Sequence, residues 1–292
     1  MKPSREMPGW LRSGLIVAEI GLLLWLELRR PLRRAVESKL KRNWRNLVVA
    51  GFAGLSVQVA EKPVIAPLAR IVEQRGWGLL KRGELPLWAE AIIAVALMDY
   101  TLYVWHVLVH RAPCLWRFHL PHHVDLDMDA STALRFHFSE LVLSVPWRAG
   151  QIVMIGVTPF TFSLWQTLLM ASILFHHSNV RLSTNTERWL SCLIVTPRLH
   201  GIHHSIVERQ TNSNWSSGLT LWDWLHRTLR RDVPQEAITI GVPAYRAADD
   251  VTLPKVIAMP FRRQRPTWEL PEAGKQRWSN RKTEDQSIER RS

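Results

Sequence analysis

Hydrophobic positions in this chain fall into long blocks, and their lengths set the first expectation. Residues 13–28 are apolar except for Glu19 and Glu27, a short candidate membrane span. A second block, 47–60, is interrupted by Glu61-Lys62-Pro63 and resumes to 68. A span with a polar break and a membrane-embedded hairpin both fit it. The clearest block is 85–109, LPLWAEAIIAVALMDYTLYVWHVLV, long enough to cross a bilayer as a helix. Blocks 141–160 and 161–175 meet near Thr158-Pro159 and predict a helical hairpin that returns the chain to the side it left. Residues 70–84 and 111–140 are polar connections, and beyond about residue 181 the chain reads as soluble.

Charge changes this picture in one respect. The net charge is +13, which raises nucleic-acid binding. The basic residues nevertheless gather next to apolar blocks: residues 29–45 hold eight Arg or Lys and one Glu. That pattern favours a cytoplasmic loop facing anionic lipid headgroups and argues against a nucleic-acid partner. Pro31 in this loop marks a break or a helix start. Fifteen tryptophans, several at block ends, suit membrane interfaces. Cys114 and Cys192 form no pairing motif, so a reducing compartment is expected. No cleavable signal peptide is evident.

The candidate chemistry lies in the histidines. All twelve fall between positions 106 and 226. His106 and His110 are one helical turn apart and share a face with Asp99 and Tyr103. An acid and two histidines at membrane depth are costly, which marks a functional site. His119, His122 and His123, like His200, His203 and His204, occupy positions i, i+3 and i+4. The first and last of each triplet share a helix face while the middle one points around it, so a triplet can touch two neighbouring metals. His176 and His177 sit at the hairpin exit. His137 and His226 stand alone and read as supporting residues. With the basic loop on the cytoplasmic side, alternation of the spans delivers every cluster to that side.

Eight or nine imidazoles exceed a four-ligand structural zinc site and fit two metals. Imidazole suits zinc, copper, iron and nickel. The chain lacks HExxH, which a zinc metalloprotease needs, and the Glu-x-x-His pattern of ferritin-like di-iron proteins. A histidine-rich dinuclear iron centre that activates dioxygen remains. A metal transporter would line a path at the bilayer midplane, where only Asp99 lies.

These residues resemble the fatty acid hydroxylase/sterol desaturase superfamily of integral membrane di-iron enzymes, over roughly residues 95–245. Its three histidine boxes are similar to HVLVH at 106–110, HLPHH at 119–123 and HGIHH at 200–204. Asp99-Tyr100 precedes the first box as the family shows. Residues 125–140 resemble the segment after the second box. Phe175-His176-His177-Ser178-Asn179 resembles an F-x-H-x-N element that selects His177 over His176. Thr196-Pro197 leads the third box, and 211–215 with Leu221-Trp222-Asp223 resembles a closing motif. Phe138, Trp215 and His226 depart from the family's usual residues.

The resemblance implies an all-α, multi-pass membrane fold of about four to five spans with a cytoplasmic helical cap that carries the metals. It implies N-terminal spans and a basic loop over 1–84, a catalytic domain over 85–245 and a basic, partly disordered tail over 246–292. The implied ligands are His106, His110, His119, His122, His123, His177, His200, His203 and His204, with Asp99, His137, His176 and Asn179 around them. Two non-haem iron ions and O2 are the implied cofactor and co-substrate. The implied activity is lipid hydroxylation, with desaturation as the alternative. No electron-carrier domain is evident in the flanks, so a separate electron donor is expected.

Overall fold

The computed structural model describes residues 6–269; residues 1–5 and 270–292, about half of the expected C-terminal tail among them, lie outside the described residues. Every regular element among the described residues is helical, joined only by isolated bridges. The long helices are α1 (Gly9–Arg29), α2 (Lys39–Ser56), α3 (Lys62–Arg75), α4 (Leu87–Arg111), α5 (Pro113–His123), α6 (Phe138–Ile155) and α7 (Pro159–His177). Short helices follow: α8 (Thr184–Leu190), α9 (Pro197–His203), α10 (Glu208–Thr211), α11 (Leu221–Leu225) and α12 (Leu253–Ala258).

The polar interruption at Glu61-Lys62-Pro63 does not turn the chain. A π-helical turn, Val57–Glu61, joins α2 to α3 with helical backbone throughout, and Pro63 follows it as the second residue of α3. The hairpin alternative is therefore not adopted. The hairpin expected near Thr158-Pro159 does form. α6 ends on Gly156 at φ 90°, and Thr158 caps α7 by accepting the Thr161 N–H. Pro31 breaks the chain and bridges to Val180. By length and composition, two stretches could cross a membrane: Lys39–Lys81 and Leu87–Arg111.

One end of the bundle is apolar. Ile65, Val72, Met98, Ile152 and Trp165 form its core. There Gly78 and Gly156, both at positive φ, meet backbone to backbone, and a Cβ on Gly78 would overlap Gly156. The other end gathers the C-termini of α1, α4 and α7 and the N-termini of α2 and α6. Glu27 of α1 accepts the N–H of Ala130 and of Asn179. Arg42 and Arg45 of α2 pair with Asp125 at 3.2 and 3.0 Å. These two cations of the basic loop are thus buried in an ionic network, while Arg29, Arg30, Arg34 and Lys41 remain exposed. Residues 242–259 fold back over α2 and α5, burying Val242, Tyr245, Val251, Val256 and Met259 against Val49, Leu120 and Val124. Order therefore extends well past residue 246.

Candidate metal centre

α4 delivers His106 and His110 one turn apart, in its last turns. Its C-terminus passes through extended Ala112 into α5, which starts on Pro113. The change of direction lays His119, His122 and His123 across the end of α4. Thr196 caps α9 by accepting the Leu199 N–H, which sets His200, His203 and His204 opposite α5. His177 arrives on the last turn of α7.

The result is two adjoining groups of imidazoles. His106, His110, His119, His123 and His203 form one; His122, His177, His200 and His204 form the other. Within each group the ligand atoms lie within 4.8 Å of one another. Each triplet divides: its first and last members share a group and its middle member joins the other. The groups touch, since the His123 and His204 rings stack at 4.3 Å.

The surroundings fix which nitrogen faces inward. His106 Nδ1 donates to the Trp215 carbonyl at 2.6 Å, His203 Nδ1 to the Ser213 carbonyl at 2.9 Å and His177 Nδ1 to the Ile173 carbonyl at 2.9 Å. His119 Nδ1 donates to Glu140 Oε1 at 2.9 Å. Each leaves Nε2 with a lone pair aimed into its group. The Nε2 atoms of His106, His110, His119 and His203 and both nitrogens of His123 are buried without a hydrogen-bond partner. Each such atom costs about 1–3 kcal/mol when nothing satisfies it. In the second group His177 Nε2 lies 3.1 Å from His122 Nε2 and 3.0 Å from His200 Nε2. His177 Nε2 carries no proton to donate, so these close approaches suit nitrogens sharing one cation.

Electrostatics agree. Burial, reinforced by neighbouring imidazoles, pushes His122, His123, His200 and His204 well below the ordinary histidine value. Burial pushes His203 down to about 3. At neutral pH these rings are uncharged, the form that binds a metal. The nine imidazoles therefore fit two cations that take nitrogen donors.

The remaining candidates lie around these groups. His176 is buried with its ring 4.1 Å from His200, yet it belongs to neither group. Asp99 accepts the Leu219 N–H and the Trp222 indole N–H at 2.9 and 2.7 Å and so holds the 215–223 loop rather than a histidine. His137 caps α6 and bonds the Ile257 carbonyl at 3.0 Å. Asn179 pins the basic loop through the backbone N–H and carbonyl of Arg33. His226 is exposed and stacks on Tyr103.

Glu140 was missed by sequence reasoning. It is the buried acid in the first turn of α6, and its signal was an acid placed where an apolar block begins. Asp223 accepts the N–H groups of Trp215 and Ser216 at 2.9 Å each and thereby holds the carbonyl that orients His106.

Comparison with known proteins turns on the same stretch. A family model described as fatty acid hydroxylase matches residues 91–228, which contain all nine grouped histidines. Over that stretch the chain is similar to the fatty acid hydroxylase family. It is also similar to ornithine lipid hydroxylase OlsE of Rhizobium tropici, 30% identical over 54% of this chain and 46% of that protein. It is 26% identical to cholesterol 25-hydroxylase of Mus musculus over 49% of this chain and 48% of that protein. It is 24% identical to alkylglycerol monooxygenase of Homo sapiens over 53% of this chain and 33% of that protein. The chain thus spans about half the length, or less, of these relatives. No solved structure matches it.

Proposed function

We propose that this chain is a membrane-bound di-iron oxidoreductase that uses O2 to hydroxylate a C–H bond of a lipid. The observation that carries the reading is the pair of adjoining imidazole groups at one end of a helical bundle whose other end is apolar. His106, His110, His119, His123 and His203 would hold one iron and His122, His177, His200 and His204 the other. Bound there, two irons supply the electron-transfer and O2 chemistry that side chains cannot perform.

The protein's own contribution is placement. Glu140 and the carbonyls of Trp215, Ser213 and Ile173 fix the tautomers of four imidazoles. Burial of the centre excludes bulk water from it. The apolar bundle offers a lipid a path that does not leave the bilayer. Hydroxylation is favoured over desaturation because the relatives carry the names hydroxylase and monooxygenase and act on lipids.

The same reading includes four to five spans within 1–84 and 85–245, with the metal centre facing the cytoplasm. It also includes a separate electron-donor protein and anionic headgroups against the exposed arginines of the basic loop. Profiling the lipids of cells with and without the chain, and with His123→Ala, tests it. A hydroxylated lipid should depend on the intact chain and vanish in the variant while the protein stays in the membrane. Unchanged product in His123→Ala would overturn the assignment.

A further inference from the structure

The segment after the metal ligands carries a surface that the centre does not use. Trp189 and Leu193 are 74% and 66% exposed, Trp224 is 67% exposed, and Leu219, Leu221 and Leu225 are exposed as well. The two stretches form one unit. Ile194 and Leu219 bridge antiparallel, with Val195 N donating to Gly218 O and Thr220 N to Leu193 O. Exposed Arg188, Arg227 and Arg231 flank it. Contiguous exposed apolar residues of this size mark an interaction site, and the question is what covers them.

Depth along α4 answers it. Asp99, which holds Leu219 and Trp222, is the middle residue of α4 (Leu87–Arg111). At a 1.5 Å rise per residue it lies about 16 Å back from His110. The unit therefore sits beside the middle of a helix long and apolar enough to cross a membrane, rather than beyond its end.

We propose that residues 189–193 and 219–225 form a wedge immersed in the lipid leaflet beside α4. This rests on reading α4 as a membrane span. A further observation fits lipid rather than water. Irregular backbone survives in hydrocarbon only where its polar groups are satisfied internally. Here the N–H groups of Leu219, Thr220, Trp224, His226, Arg227 and Thr228 all find protein acceptors. Because the same loop supplies the Trp215 carbonyl to His106, the wedge would couple the position of the leaflet to the metal centre.

The test uses the full-length protein in nanodiscs of phosphatidylcholine and phosphatidylglycerol. Single cysteines are placed by Trp224→Cys or Leu193→Cys in a Cys114→Ser/Cys192→Ser background and labelled with an environment-sensitive fluorophore. Ile92→Cys on the exposed face of α4 and Asp249→Cys serve as references. A Cys114→Ser protein labelled at its native Cys192 gives a second reading without altering the wedge. The expected result is loss of emission with doxyl-labelled lipid matching that at Ile92, and protection from aqueous iodide. Iodide quenching equal to that at Asp249 would overturn the proposal. So would quenching by neither agent, which would place the surface against protein, such as a second copy of this chain. If the Ile92 label itself escapes doxyl lipid, the reading of α4 as a span fails, and the wedge with it.

Discussion

Glu140 Oε1 accepts the Nδ1–H of His119 at 2.9 Å, the contact that ties the first turn of α6 to the imidazole groups. Its other oxygen, Oε2, is buried without a partner. A carboxylate behind a ligand imidazole fixes its tautomer and raises its basicity, and loss of such a partner typically costs about 10–100-fold in metal affinity. Glu140→Ala should therefore weaken metal retention by about that range, and Glu140→Gln by less, because the amide oxygen still accepts. Competition against a graded chelator series measures this. Wild-type retention in Glu140→Ala would show that the contact does not orient a ligand.

Gly201 stands inside the third histidine cluster, and the Arg33 guanidinium occupies the space a Cβ would take. Arg33 is held there by bonds to the Pro197 carbonyl at 2.9 Å and to Gln235 at 2.5 Å. Gly201→Ala must displace it, an overpacking cost of about 1–3 kcal/mol. In an Arg33→Ala background the same substitution should cost measurably less, because residues in contact couple. Thermal unfolding of the four proteins gives the coupling directly. Equal losses in both backgrounds would show that Arg33 is not the obstacle.

How far the sequence reached follows from what each residue depends on. The histidine groups were legible because helical spacing alone decides which members of a triplet share a face. The hairpin was legible from Thr158-Pro159, a cap and a first-turn proline in succession. The continuity of α2 into α3 was not, because a π turn absorbs one extra residue without any change in composition. Glu140 was hidden because its role depends on α6 starting beside α5, a contact 21 positions apart with no local signature. Arg42 and Arg45 looked like lipid-facing charge until Asp125 was placed between them by the fold.

Asp125 is buried, which disfavours its charge, yet Arg135, Arg42 and Arg45 together outweigh burial and hold its carboxyl below the usual carboxylate range. A depressed folded pKa contributes stability that is present above the unfolded value, about 3.9, and is lost as pH falls through the folded value. Asp125→Asn leaves Arg135 facing a neutral group, while Arg42 keeps Asp129 and Arg45 keeps Glu37. Breaking a buried pair in this way costs about 3–5 kcal/mol. The loss in Tm should be largest near pH 7 and shrink as both proteins are acidified below pH 4. A Tm difference independent of pH would mean that packing, not charge, carries the effect.

Metal removal and pH act together on the histidine groups. With His122, His123, His200 and His204 pushed well down and His203 to about 3 by burial, the folded metal-free chain refuses protons that the unfolded chain accepts below about 6.5. The unfolded state binds more protons between the two values, so these histidines contribute stability that is complete above about pH 6.5 and declines on acidification. Asp127 and Asp223, whose carboxyls are raised by burial, act in the opposite sense, so Tm alone mixes the two. Nitrogen-15 spectra of histidine-labelled, metal-free protein separate them: these rings should remain neutral single tautomers from pH 8 to 5.5. Adding the metal back should raise Tm by mass action, about 2.7 kcal/mol of stability at a hundredfold excess over Kd. Rings that titrate near 6.5 in the folded chain would mean that the groups admit water, and that the unpartnered nitrogens are not held ready for a cation.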